Sequence, residues 1–202
     1  MFSNVFQPDA KMRGRWQEYF GNTNPLTLEL GCGTGAYTLG LARMFPKRNF
    51  IGVDIKGARI WKGAKTALEE KIKNVAFLRA PIERLTDFFL PHSIEEIWIP
   101  FPDPFPRKKQ WKNRLTSPRF LEMYTKLLVK QGGVHLKTDD EMLFRYTVDI
   151  APHYGFEIQK VDEDVRVDEG GVDPVYSIQT VYEKRHRAVG KRILYVRMVL
   201  KE

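Results

Sequence analysis

Three stretches of this chain place acids, glycines and cations where they could do chemistry. In Leu28-Glu29-Leu30-Gly31-Cys32-Gly33-Thr34-Gly35 a carboxylate precedes three alternating glycines. Glycine permits a tight turn and a close approach of backbone to ligand. A helix opening after such a turn leaves its first N–H groups unpaired, and they can face a ligand. Asp54 ends an apolar run downstream, where an acid can accept hydrogen bonds from both hydroxyls of a ribose. In Pro100-Phe101-Pro102-Asp103-Pro104-Phe105-Pro106 an acid is held between prolines. Their fixed φ lowers the entropy lost in keeping Asp103 in one place. A basic run from Arg107 to Arg114 follows, and a second one spans Lys184-Arg185-His186-Arg187 with Lys191-Arg192. Such cations position a nucleic acid through its phosphates without reading its sequence. Trp111 and Tyr182, within or beside these runs, are candidates for stacking on bases.

The glycine turn admits two readings. Gly31, Gly33 and Ala36 satisfy the G-x-G-x-x-A pattern of dinucleotide binding, so a nicotinamide cofactor stays open. Glu29 tilts the choice, because a carboxylate there repels a pyrophosphate and suits a cofactor carrying cationic sulfonium and ammonium groups. A nicotinamide oxidoreductase would also need a Tyr-x-x-x-Lys pair or a catalytic histidine after the sheet, and neither stands in a convincing context. The single cysteine, Cys32, excludes an intrachain disulfide and a redox pair. His92, His135, His153 and His186 are scattered, with no pair at zinc-ligand spacing, so no metal is expected.

The elements that must position these residues alternate. Strands are expected at Thr27 to Leu30, Asn49 to Asp54, Asn74 to Leu78, Ile97 to Ile99, Gly133 to Lys137, Phe156 to Val161 and Ile193 to Leu200. Helices are expected at Leu39 to Phe45, Ala58 to Lys71, Ser117 to Lys130, and from a cap at Asp139 or Asp140 towards Ile150. Strand followed by helix followed by strand means an α/β fold, with a mostly parallel sheet of about seven strands and helices on both faces. Ligands of such sheets bind beyond the carboxyl ends of the strands, where the glycine turn, Asp54 and Asp103 all fall.

The 202 residues suit one domain, 1–202, with an N-terminal segment over 1–24 that packs on the domain or its substrate. The acidic stretch 162–174, with Gly170-Gly171 and no apolar stripe, is expected to be a mobile loop. No apolar run approaches the roughly 20 residues that span a bilayer, and the first residues lack the features of a signal peptide, so a cytoplasmic protein without membrane contact is expected. The formal net charge of +8 points to an anionic partner, of which nucleic acid is the foremost candidate.

Four motifs carry a family resemblance. The run E-x-G-x-G-x-G from Glu29 to Gly35 is similar to the first S-adenosylmethionine (SAM) motif of Rossmann-like methyltransferases. Phe101-Pro102-Asp103-Pro104-Phe105-Pro106-Arg107-Lys108, Leu136-Lys137-Thr138-Asp139 and Thr180-Val181-Tyr182-Glu183 resemble, in the same order, the motifs of bacterial tRNA (guanine-N7)-methyltransferases. The resemblance covers about Leu28 to Glu183. It implies a Rossmann-like class I methyltransferase fold, SAM as cofactor and tRNA as partner. It also implies methylation of a guanosine at position 46 of the variable loop, giving 7-methylguanosine. Glu29, Gly31, Gly33, Gly35, Asp54, Ala80, Pro81 and Asp103 would then hold SAM. Asp103 would be the active-site acid, and Arg107, Asp139, Thr180 and Glu183 would contact the nucleoside.

Three positions depart from the family's pattern. Arg107 stands where a lysine is usual, Phe105 where a tryptophan is usual, and Pro81 where an acid is usual. Pro81 offers neither carboxylate nor N–H, so the adenine contact falls to neighbouring backbone groups. A carboxylate can accept from the N1–H and N2–H edge of guanine, and Asp103, Asp139 and Glu183 all qualify. A methyltransferase with another RNA target is the main rival. A non-catalytic RNA-binding subunit would be expected to lack Glu29, Asp54 or Asp103, and all three are present.

Overall fold

The computed structural model describes residues 2–9, 11–168 and 171–202. Eight strands form one sheet: β1 (Val5–Phe6), β2 (Leu26–Leu30), β3 (Asn49–Asp54), β4 (Val75–Arg79), β5 (Ile94–Pro100), β6 (Leu128–Thr138), β7 (Phe156–Asp162) and β8 (Leu194–Leu200). Their order is β1-β4-β3-β2-β5-β6-β8-β7. The first six in this order pair parallel, while β8 runs antiparallel to both β6 and β7. Strands β2 and β3 are buried at every position, as central parallel strands covered on both faces must be.

The helices are α1 (Trp16–Phe20), α2 (Ala36–Met44), α3 (Gly57–Glu69), α4 (Pro118–Leu127), α5 (Glu141–Ile150), α6 (Pro174–Ser177) and α7 (Val181–Ala188). Two apolar cores result, one on each face of the sheet. Trp16 of α1, Phe120 and Tyr124 of α4, and Phe144 of α5 belong to one. Tyr37 of α2, Ile60 of α3, and Val175 of α6 belong to the other. Among the described residues no helix is long and apolar enough to cross a membrane.

The structure corrects two expectations. The sheet has eight strands rather than about seven, because Val5 and Phe6 of the N-terminal segment add a short edge strand beside Phe77 and Leu78. The same segment sends Met12 and Trp16 into the core, where the Trp16 indole donates to the Phe88 carbonyl at 2.9 Å. The helix expected to reach Lys130 stops at Leu127, and the chain turns extended at Leu128. There Leu128 pairs with Ile94 of β5, so sheet pairing and burial override a run that otherwise favours helix. Within the acidic stretch 162–174, Val165 is fully buried and its N–H donates to the Ile193 carbonyl at 2.8 Å. Glu169 and Gly170 of that stretch lie outside the described residues.

Candidate active site

The order of strands reverses between β2 and β5: β3 and β4 lie to one side of β2, and β5 and β6 to the other. A crevice beyond the carboxyl ends of the strands is expected there. On one side of it stands the β2–α2 turn. Gly31, Gly33 and Gly35 all adopt positive φ (71°, 54° and 71°), which only glycine does without strain. A Cβ built at Gly31 or Gly33 would meet nothing within 4 Å, so the backbone lies open on that side. At Gly35 it would press into the Phe77 ring at 2.6 Å, so that glycine serves packing.

Asp54 ties this turn to the next. One carboxylate oxygen accepts the Gly33 N–H at 2.8 Å, and the other accepts the Lys56 N–H at 2.8 Å. Each oxygen keeps a further lone pair with which to accept a hydroxyl. Glu29 lies beneath the turn, 4% exposed, and accepts both the N–H and the hydroxyl of Thr38 on α2. Burial raises its carboxyl to about 7 against the effect of those two bonds. A cation held over the turn would return it to the ionised form. The open glycine backbone, the spare lone pairs of Asp54 and a buried acid that favours a nearby cation fit the nucleoside and sulfonium parts of SAM. At the end of β4, Ala80 is buried and its N–H is taken by the Asp54 carbonyl at 3.2 Å; Pro81 starts the next turn, half-buried.

On the other side of the crevice the chain leaves β5 through Phe101-Pro102-Asp103-Pro104-Phe105-Pro106. Phe101 and Phe105 both have positive φ (51° and 45°). Left-handed backbone at a bulky residue costs on the order of 1–3 kcal/mol and persists where its surroundings enforce it. The Phe101 N–H donates to the Lys137 carbonyl at 2.7 Å, fixing the loop's start to the end of β6. Asp103 stands exposed on this loop and has no hydrogen-bond or ion-pair partner among the described residues. Arg107 is also exposed and opens the short helix Lys108–Asn113.

The remaining candidates gather around α7. Thr180 caps this helix, its hydroxyl accepting the Glu183 N–H at 3.0 Å. Glu183 is fully buried; its carboxylate lies 2.8 Å from the Lys137 ammonium and 2.8 Å from the Arg187 guanidinium. Lys137 is buried too, and donates to the carbonyls of Val175 (2.6 Å) and Ile178 (3.3 Å). Burial lowers its ammonium from the usual lysine value, and Glu183 opposes the shift. Asp139, following β6, pairs with His186 at 3.2 Å and with Lys191. The His186 ring stacks on Phe101 at 6.1 Å. The Asp103 loop, the end of β6 and α7 therefore meet as one unit.

Residues 23–196 match the model of a protein family described as "Putative methyltransferase". The tRNA (guanine-N(7)-)-methyltransferase of Christiangramia forsetii is 45% identical over 99% of this chain and 93% of its own length. That of Geobacillus thermodenitrificans is 36% identical over 92% of this chain and 84% of its own. The chain belongs to the tRNA (guanine-N7)-methyltransferase family. Among solved structures, the 16S rRNA methyltransferase KamB shares the fold with a TM-score of 0.70 at 15% identity, covering 94% of each chain. A 16S rRNA (adenine(1408)-N(1))-methyltransferase from Catenulisporales acidiphilia does so with a TM-score of 0.67 at 15% identity, over 94% of this chain and 93% of its own. These likenesses show the class I methyltransferase fold, and with the family membership SAM is the cofactor.

Within this family member the structure gathers the sequence candidates in two sets. Gly31, Gly33, Gly35, Asp54, Ala80 and Pro81 line the β2, β3 and β4 side, with Glu29 beneath. Asp103, Arg107, Asp139, Thr180 and Glu183 lie on the β5, β6 and α7 side. Of the second set, Asp103 and Arg107 face solvent, whereas Thr180 and Glu183 are engaged inside the fold. Three supporting residues escaped the sequence reading. Thr38 is Glu29's partner, Lys137 is Glu183's, and Arg114 belongs to the core although it closes a basic run. Arg114 had one faint signal, the apolar and hydroxyl residues Leu115-Thr116-Ser117 that follow it. Of the second basic run, Arg187, His186 and Lys191 are tied to acids of the fold.

Proposed function

We propose that this protein transfers the methyl group of SAM to N7 of a guanosine in tRNA, at position 46 of the variable loop, giving 7-methylguanosine. The observation that carries the proposal is the state of Asp103. Of the candidate acids it alone is exposed and without a partner among the described residues, on a rigid loop at the crevice. The names of the relatives support tRNA as substrate. A tRNA substrate also assigns the protein to the cytoplasm.

SAM supplies an electrophilic methyl group on a sulfonium centre. Asp54 accepts the ribose hydroxyls, the open backbone at Gly31 and Gly33 receives the cofactor, and backbone near Ala80 and Pro81 borders the adenine. Guanine N7 carries an in-plane lone pair and is unprotonated at neutral pH, so no proton has to leave first. What remains for the protein is orientation, which can contribute several kcal/mol, and stabilisation of the positive charge that grows on the base. Asp103 serves both, accepting from the N1–H and N2–H edge of guanine, which adenine does not offer. Arg107 and the neighbouring Lys108 and Lys109, all exposed, hold phosphates. Asp139, Thr180 and Glu183 border the nucleoside by fixing α7 against the loop.

Incubation of the protein with SAM and unmodified tRNA tests the proposal. The product base is a fixed cation, so borohydride followed by aniline should cleave the RNA at one variable-loop site. Cleavage elsewhere would reassign the target. Absence of 7-methylguanosine by nucleoside mass analysis would overturn the reaction.

A further inference from the structure

Arg114 ends a run of exposed cations, yet it is fully buried. Its guanidinium lies against two aromatic rings that also touch each other, 4.6 Å from the Trp111 centroid and 4.5 Å from that of Tyr146, with the two centroids 5.5 Å apart. Its edge is turned to the backbone of the acidic loop. Nε donates to the Pro104 carbonyl at 2.9 Å, and Nη2 donates to the Phe105 carbonyl at 3.3 Å. Nη2 also lies 3.3 Å from the Met142 sulfur on α5. These two carbonyls belong to the residues immediately after Asp103, and Phe105 is the one held in left-handed backbone.

The prolines on either side of Asp103 cannot hold the loop unaided, since they lack N–H groups to donate. Some outside donor must fix the carbonyls of Pro104 and Phe105, and Arg114 supplies both bonds. A planar guanidinium does this with two donors on one rigid fork and can pack on aromatic rings, whereas an ammonium is a point charge that presents no such fork. We infer that Arg114 is a positioning residue for the methyl transfer: it holds the strained Pro104-Phe105 backbone and thereby sets where the Asp103 carboxylate stands. The inference rests on the reaction proposed above and extends it to a residue that touches neither cofactor nor nucleoside.

The test compares wild type, Arg114→Lys and the double variant Arg114→Lys/Phe105→Gly under single-turnover conditions with SAM and tRNA. In Arg114→Lys the methyl-transfer rate should fall by roughly 100-fold, the loss expected when a reacting group is displaced by about 1 Å. SAM and tRNA affinities should stay within about twofold, because the groups that bind them are untouched. Hydrogen exchange at the Phe101 amide, the loop N–H that is bonded to the Lys137 carbonyl, should accelerate as the loop loosens, a readout independent of the substrate. Phe105→Gly should restore part of the rate in the double variant, since glycine adopts the left-handed conformation without strain. A role in general stability predicts instead a rate loss that tracks a lower melting temperature and is not restored by glycine, and that result would overturn the inference. So would a wild-type rate with unchanged exchange in Arg114→Lys. If wild type itself forms no 7-methylguanosine while exchange still accelerates in Arg114→Lys, the proposed reaction fails and the clamp on the loop stands.

Discussion

Asp103 and Glu183 are both acids of short motifs, about equally conspicuous in the sequence, and the structure treats them in opposite ways. Asp103 sits between prolines on an exposed loop with no partner among the described residues. Glu183 is fully buried, with Lys137 and Arg187 both 2.8 Å away. An acid meant to meet a substrate stays available when the backbone alone fixes it. An acid that is buried with a cation is committed to that cation, because separating them leaves a charge stranded in an apolar interior. Here one motif presents a carboxylate to the crevice, and the other fastens α7 and the carbonyls of Val175 and Ile178 to β6.

The largest effect should come from breaking the buried pair. Glu183→Ala strands the Lys137 ammonium and should lower unfolding stability by about 3–5 kcal/mol in denaturant titrations. Replacing both partners, Lys137→Met with Glu183→Leu, should recover most of that loss. A Glu183→Ala protein as stable as wild type would break the comparison, because Glu183 would then be as free as Asp103.

The next effect separates exposed cations from buried ones. Charge reversal at Arg107, Lys108 and Lys109 should weaken tRNA binding and flatten its salt dependence, by a slope of about 2–3 if each touches one phosphate. SAM affinity should not change. An unaltered slope would make this stretch a solvated face.

The smallest effect depends on pH and concerns Glu29, which is buried like Glu183 but lacks a cationic partner. Its folded-state value is raised to about 7 from the ordinary 4.5, with burial the main cause. The unfolded chain therefore releases this proton first, and stability falls as pH rises from about 4.5 through 7. Glu29→Gln keeps an acceptor for Thr38 and removes that loss. Its stability should match wild type near pH 4 and exceed it by on the order of 1–3 kcal/mol at pH 8, as measured by thermal or denaturant unfolding. Adding SAM should narrow the gap at pH 8, since its cationic groups favour the ionised acid. Equal stability at both pH values would place Glu29 in contact with solvent.

The parallel sheet and the cofactor side were legible in the sequence because their signals are local. Glycines at positive φ, an acid at a strand end and apolar strands alternating with helices each occupy a few consecutive residues. The short strand Val5–Phe6 was not legible, since two residues carry no periodicity and gain strand geometry only from pairing with Phe77 and Leu78. Nor was the end of α4 at Leu127, where pairing of Leu128 with Ile94 decides. On the substrate side, residue types revealed which side chains carry charge but not which ones face inward. Arg114 read as a phosphate-positioning cation and Glu183 as a nucleoside contact, because their partners, the carbonyls of Pro104 and Phe105 and the ammonium of Lys137, are brought to them only by the fold.

Asp103→Asn addresses the central claim most directly, because it keeps the side chain's shape, removes its charge and swaps one acceptor for a donor. The measurement is single-turnover formation of 7-methylguanosine in tRNA, taken with SAM affinity, tRNA affinity and melting temperature on the same preparation. Turnover should fall by about 100-fold or more, the range for a group that stabilises developing charge, while both affinities and the melting temperature stay at wild-type values. Near-normal turnover in this variant would contradict the role of Asp103 and pass the guanine edge to Asp139, since Glu183 is buried against Lys137 and Arg187.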